Sequence, residues 1–170
     1  RFFLDQLSFD NREGYIWYNG NLIEWKNANV HVLNHGLHYA SCVFEGERAY
    51  RGKIFETEKH TNRLFNSAKS LDMKIPFSEK EIINAKDILL KKNSLSEAYV
   101  RPVVWRGSEM MAVSAQATRI NVAIAVWEWP SYFDPEQKMK GIKLDIAKWR
   151  RPSPDCGPVL AKAAGLYMIC

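Results

Sequence analysis

The chain has 170 residues, 46% hydrophobic and 12% aromatic, with 24 Lys and Arg against 19 Asp and Glu, a net charge of +5 and a pI of about 9.1. That hydrophobic share excludes disorder, which needs low hydrophobicity and high net charge, and the length suits one domain or a little more. The basic residues are dispersed, with close runs only at Lys91-Lys92 and Arg150-Arg151, so a nucleic-acid-binding role is not expected.

Cys42, Cys156 and Cys170 are odd in number and lack metal-type spacing, which argues against a disulfide framework and a zinc site. Reduced cysteines in a cytoplasmic protein are the expectation. No apolar run approaches the roughly 20 residues of a membrane span, and early acidic residues interrupt any signal-peptide pattern at the N-terminus. Leu166 to Ile169 reads as an element in progress with no stop residue after it. The expectation is therefore the first part of a longer polypeptide.

In chain order, Asn19-Gly20 between Tyr15-Ile16-Trp17-Tyr18 and Asn21-Leu22-Ile23-Glu24-Trp25 predicts a hairpin. A second hairpin is predicted at Arg51-Gly52, joining a strand over 43–50 to one over 53–56. Thr57 is the expected cap of a helix over 58–71 whose Leu64, Phe65, Ala68 and Leu71 share a face. Ser78 and Glu81 form a capping box for a second helix ending near Asn93. Strands are predicted over 98–105, 120–127 and 142–147. Pro102 marks the first of these as an edge strand or a bulge. Residues 150–158, with Pro152, Pro154, Gly157 and Pro158, read as a linker. Hairpin-paired strands with two helices between them indicate an α+β fold, divided into a domain over 1–150 and a following segment over 151–170.

Four groups of residues have chemical potential. Lys162 stands in Pro158-Val-Leu-Ala-Lys-Ala-Ala-Gly-Leu-Tyr167, with no other charge between Asp155 and Cys170. Apolar surroundings disfavour an ammonium, and a neutral amine is what Schiff-base chemistry needs. The small neighbours Ala161, Ala163, Ala164 and Gly165 leave space beside it. Local composition alone favours a helix-start lysine reaching to water. Tyr99 and Arg101, two apart on a strand, share a face with Val103. The arginine either binds a carboxylate beside the tyrosine hydroxyl or makes a structural ion pair at a sheet edge. Arg63 flanks its helix's buried stripe and is placed either to bind phosphate or simply to meet solvent. Trp127, Trp129 and Tyr132 surround a strand end, as pocket or as core. His31, His35 and His38 tempt a metal reading, but the Val-His-Val start and Gly36 favour strand and turn over helix, and no carboxylate lies at ligand spacing.

Taken in order, these segments resemble the branched-chain-amino-acid aminotransferases, of the fold-type IV pyridoxal-phosphate enzymes. The matching runs are Tyr-Ile-Trp-Tyr-Asn-Gly at 15–20, Val-His-Val-Leu-Asn-His-Gly-Leu-His-Tyr at 30–39 and Val-Phe-Glu-Gly-Glu-Arg-Ala-Tyr at 43–50. His-Thr-Asn-Arg-Leu-Phe-Asn-Ser-Ala-Lys at 60–69, Ala-Tyr-Val-Arg-Pro at 98–102 and the run at 158–167 complete the set. The resemblance implies the N-terminal two-layer domain of that fold, ending at the interdomain loop and catalytic lysine, with a C-terminal cofactor domain to follow. It implies that Lys162 forms the Schiff base with pyridoxal 5'-phosphate, that Arg63 holds the phosphate and that Tyr167 lies near the ring oxygen. Tyr99 would bind the substrate α-carboxylate and Arg101 the distal carboxylate of glutamate or 2-oxoglutarate. Phe44, Trp129 and Tyr132 would wall the side-chain pocket. Tyr39 and the Val113 backbone would reach the neighbouring subunit's site in a homodimer or larger assembly. The implied activity is amino transfer from leucine, isoleucine or valine to 2-oxoglutarate. The alternatives are a D-amino-acid transaminase, an aminodeoxychorismate lyase or a non-catalytic fragment, and the Tyr99–Arg101 pair favours the branched-chain type. Glu47, Val159, Leu160, Ala164 and Leu166 depart from the family's usual residues.

Overall fold

A computed structural model describes residues 8–129 and 135–168. Strands β1 (Tyr15–Tyr18) and β2 (Asn21–Glu24) form the first hairpin, with Asn19 and Gly20 both at positive φ, 47° and 95°. Two positive φ values are what the tight primed turn demands, and Asn-Gly adopts them at little cost. Arg51 and Gly52 turn in the same way between β4 (Glu47–Tyr50) and β5 (Lys53–Ile54).

The predicted strand over 43–50 is two strands, β3 (Cys42–Phe44) and β4, both antiparallel to β6 (Ala98–Arg106). The register runs on across the gap: Phe44 faces Val103 and Glu47 faces Val100. Pro102 therefore lies in a central strand without a bulge, contrary to expectation. Its carbonyl accepts from Glu45 N–H at 2.9 Å, so its missing N–H falls opposite Glu45, in the gap where the ladder between β3 and β4 is already interrupted. β7 (Ile120–Trp127) pairs along the other side of β6 and also with β1, giving the sheet order β2-β1-β7-β6-β4-β5 with β3 beside β6.

Helix α2 (Thr57–Ser70) and helix α3 (Glu79–Lys92) cover one face of this sheet. The Ser78–Glu81 capping box forms as read, and Asn93 is the C-cap. Thr57 is not the cap of α2. Glu56, at φ +52°, precedes the helix without a side-chain cap, and Thr57 is its first residue. Leu64, Ala68, Ile82 and Leu89 meet Val43, Ala49, Val100, Val104, Val122 and Ile124, all fully buried. Each such Leu, Ile or Val side chain contributes about 1.5–3 kcal/mol by leaving water.

Two further expectations are corrected. Residues 35–39 form a short helix, α1 (His35–Tyr39), because the Asn34 side chain caps it at Gly36 N and Ala40 closes it in the left-handed region. Gly36 is there for packing, since a Cβ would sit 3.1 Å from Trp105 Cβ. Residues 142–147 form no strand. The alternation is present, but Ile142, Leu144 and Ile146 are all exposed and the segment pairs with no strand among the described residues. A short helix that the sequence reading did not include, α4 (Pro135–Lys140), precedes it.

Candidate active site

Strand alternation divides the site's residues between two faces. On β6, Ala98, Val100 and Val104 are buried beneath the helices, while Tyr99, Arg101 and Val103 lie on the other, partly open face. On β3 and β4, Val43, Glu45, Glu47 and Ala49 point toward the helices, and Cys42, Phe44 and Arg48 toward the open face. Phe44 and Arg101 thus share a surface because both occupy outward positions of neighbouring strands.

Lys162 reaches this surface along the free edge of β3. Phe44 N–H donates to the Lys162 carbonyl at 3.1 Å, and Val43 and Ala163 form an isolated antiparallel bridge. Lys162 N–H in turn donates to Ser67 Oγ of α2 at 2.9 Å. Its Nζ lies 2.6 Å from Tyr167 Oη, 4.8 Å from the Phe44 ring centre and 5.0 Å from that of Tyr167. The apolar walls around the amine are therefore these two rings. Ala161 and Ala163 do not open space beside the lysine; they are small because they pack into the core at 5% exposure each. Gly165 serves close packing, since a Cβ there would be 3.0 Å from Ala40 Cβ.

From Phe44 the surface continues to Arg101, whose guanidinium carbon lies 4.6 Å from the Phe44 ring centre and 5.1 Å from that of Tyr99. Arg101 Nη2 donates to Tyr99 Oη at 2.8 Å, and its Nε is buried with no hydrogen-bond partner. The structural ion pair at a sheet edge is absent, because β6 is an interior strand and Arg101 has no carboxylate partner among the described residues. A buried, unsatisfied guanidinium N–H beside a hydroxyl is a binding position for an anion. Tyr99 stacks with Trp127 and Trp129 at 4.9 and 5.0 Å, and Arg48 Nη1 donates to the Trp129 carbonyl at 3.2 Å. Cys42, half-buried near Arg101, has its thiol pKa raised to about 11 by burial, against the pull of the Arg101 charge.

Arg63 comes from the helix layer. Its Nε and Nη2 donate to Glu45 at 2.5 and 2.7 Å, and His60 Nδ1 lies 2.9 Å from the same carboxylate. Glu45 is fully buried while the Arg63 side chain is 52% exposed. The inner edge of the guanidinium is thereby clamped, and Nη1 makes no hydrogen bond with a described residue. Burial alone would raise the Glu45 pKa, but the hydrogen bonds from Arg63 and His60 overcome this and hold it below the usual carboxylate range.

The fold brings together Lys162, Tyr167, Phe44, Arg101, Tyr99 and Trp129 in one run of contacts, with Arg63 clamped to the residue after Phe44. Tyr39 and Val113 are exposed and make none of these contacts. Tyr39 stacks on His35, and His35 Nε2 hydrogen-bonds the Ala112 carbonyl, which ties α1 to the loop holding Val113. Tyr132 lies outside the described residues. The three histidines part ways: His35 is buried against Ser41 and Ala112, His38 bonds the Val32 carbonyl and His31 accepts from Leu33 N–H.

The sequence reading missed Glu45, His60, Ser67 and Lys86. Signals existed for two of them. Glu45 and Glu47, two apart on a strand with a buried face, need partners, and Lys86 falls in the apolar stripe of Ile82, Ala85 and Leu89.

The amino-transferase class IV family model matches residues 42–168, and the chain belongs to that family. A Rickettsia felis protein named "Probable branched-chain-amino-acid aminotransferase" is 42% identical over 154 residues, covering 90% of this chain and 51% of its own. The Pseudomonas aeruginosa branched-chain-amino-acid aminotransferase is 41% identical over 166 residues, with 95% and 54% covered. Among solved structures, the T.th. branched-chain amino acid aminotransferase with pyridoxamine 5'-phosphate superposes with a TM-score of 0.86 at 36% identity, over 92% of this chain and 53% of that one. The chain thus spans about half the length of the curated relatives it matches. Its mixed α/β architecture is that of the N-terminal domain of fold-type IV aminotransferases.

Proposed function

We propose that the protein containing this chain is a pyridoxal-phosphate-dependent branched-chain amino acid aminotransferase, passing the amino group of leucine, isoleucine or valine to 2-oxoglutarate. The observation that carries the reading is the Lys162 amine set between the Phe44 and Tyr167 rings, on the same surface as an arginine whose buried Nε has no partner. Relatives named for this activity support it.

The residues suit the cofactor. An amine carrying a hydroxyl neighbour, and an arginine whose outer edge is unengaged, match an aldehyde and a phosphate. When bound, pyridoxal phosphate supplies that aldehyde and the electron sink needed at the substrate α-carbon. Arg63 binds the phosphate, clamped by Glu45. Lys162 Nζ would hold the cofactor's aldehyde carbon and serve as the base for the α-proton, with Tyr167 Oη, 2.6 Å away, orienting the amine. Tyr99 holds the α-carboxylate and Arg101 the distal carboxylate of glutamate. Phe44 and Trp129 wall the pocket for the branched side chain, with Tyr132 assigned beside them. One pocket then takes both substrate types, because Arg101 lies against the face of Phe44: the ring offers apolar area and the guanidinium a charge.

Residues 151–170 belong on this reading to the interdomain loop and the start of a cofactor domain. Tyr39 and Val113 serve the neighbouring subunit's site in a homodimer; both are exposed, as are the apolar residues Val30, Val32, Leu33 and Leu37 shortly before Tyr39 in the chain. A cytoplasmic location accords with the free Cys42 and Cys156. The test is borohydride reduction followed by peptide mass mapping. A pyridoxyl adduct on Lys162 is expected, and its absence from full-length protein supplied with pyridoxal phosphate would overturn the assignment.

A further inference from the structure

Beneath the Arg63–Glu45 clamp lies a second charged pair that the proposed chemistry does not use. Glu47, two residues after Glu45 on the same face, meets Lys86 of α3 at 2.6 Å, and both side chains are at 0% exposure. Lys86 Nζ also donates to Thr61 Oγ1 at 2.7 Å and to Thr57 Oγ1 at 3.3 Å, both on α2. The ammonium thus hydrogen-bonds two threonines of α2 and faces the Glu47 carboxylate of β4 as an ion pair, neither oxygen of which makes a hydrogen bond with a described residue, while the lysine belongs to a third element. Thr57 and Thr61, four apart, form one line along α2. His60 and Arg63 are the residues on that helix that grip Glu45.

Stability gives no reason for burying two charges here. Burial pushes the Glu47 pKa up and the Lys86 pKa down, against their mutual attraction, and apolar replacements of such pairs are often neutral or stabilising. What the pair adds is direction. The aliphatic contacts under α2, made by Leu64 and Ala68, tolerate small rotations and slides because hydrophobic attraction is non-directional. An ammonium held by two hydroxyl acceptors and one carboxylate charge does not.

We infer that the buried Glu47–Lys86 pair is a positioning device for Arg63: by anchoring Thr57 and Thr61 it sets the rotation and height of α2 on the sheet, so that Arg63 closes on Glu45 and presents its outer edge to an anion. The phosphate as that anion rests on the function proposed above; the positioning does not. Both residues act through Arg63 and touch neither substrate nor cofactor.

The test compares the full-length protein with the variant Glu47→Leu/Lys86→Met, which removes both charges and leaves none uncompensated. Its first readout is hydrogen exchange of the Arg63 Nε–H, followed by NMR in the absence of cofactor. Exchange about tenfold faster than in the unaltered protein, at a similar melting temperature, is expected from a coupling of ordinary size. Unchanged exchange overturns the inference. Should the double variant fail to fold, Glu47→Asp keeps the charge and shortens its arm. Faster Arg63 exchange is expected there too, and unchanged exchange again overturns the positioning role. The second readout is binding of pyridoxal phosphate against pyridoxal. The double variant should lose about tenfold affinity for the phosphorylated form and change by less than about twofold for the other. A merely structural role would weaken both alike. Equal affinity of the unaltered protein for both forms would overturn the phosphate role of Arg63, and the exchange comparison would still decide the positioning.

Discussion

Lys162 N–H donates to Ser67 Oγ at 2.9 Å, joining residues 95 positions apart in the chain. The bond ties the segment bearing the candidate catalytic amine to the buried side of α2, where Ser67 is 2% exposed. Ser67→Ala leaves that amide without its acceptor, so a loss of about 1–2 kcal/mol in unfolding free energy is expected. Urea denaturation measures it, and a change below about 0.3 kcal/mol would show the bond to be incidental.

Arg101 is expected to discriminate between substrates. Its Nη2 bonds Tyr99 Oη while its Nε is buried and unpartnered. Arg101→Ala should raise KM for glutamate and 2-oxoglutarate roughly tenfold to a hundredfold, the range for a lost charge-assisted bond. The KM for leucine should change by no more than about threefold. Equal losses for both substrate classes would refute the assigned role.

Gly46 makes room for Tyr99. A Cβ at Gly46 would overlap Tyr99 Oη and stand 3.0 Å from its Cζ. Gly46→Ala should therefore push the phenol aside and break the Arg101–Tyr99 bond, giving a weak-binding phenotype like that of Tyr99→Phe without altering any polar group. A crystal structure of the alanine variant with Tyr99 unmoved would contradict this.

Glu45 predicts an acid limb. Its folded pKa is held below the usual value by Arg63 and His60 in spite of burial, so the unfolded chain binds the proton more readily. The stabilisation is complete above the unfolded carboxylate pKa of about 4.3 and is lost as pH falls through the lower folded value. Glu45→Gln should lower stability at pH 7 by about 2 kcal/mol and flatten the loss of stability below about pH 4. Thermal melts from pH 3 to 8 would show it; parallel profiles for the two proteins count against the clamp.

The two described cysteines should separate in reactivity. Cys42 is half-buried with its thiol pKa raised to about 11, and Cys156 is exposed. A thiol-specific reagent at pH 8 should label Cys156 at least about tenfold faster than Cys42, because the thiolate is the reactive form. Comparable rates would place Cys42 in a more open or more positive setting than the structure gives it.

Local patterns in the sequence carried the hairpin at Asn19-Gly20, the Ser78–Glu81 capping box, both long helices and the shared face of Tyr99 and Arg101, because each depends on residues close together in the chain. The family motifs likewise singled out Lys162, Arg63 and Arg101 as candidates. Tertiary structure decided the remainder. Pro102 occupies a central strand because the gap between β3 and β4 faces its missing N–H. The alternating run at 142–147 makes no strand, since alternation provides a face but no partner. The grip of Glu45 on Arg63, the burial of Lys86 and the seating of Lys162 on Ser67 join residues 18, 39 and 95 apart. Such pairings depend on where strands and helices cross in space, and no spacing along the chain encodes a crossing.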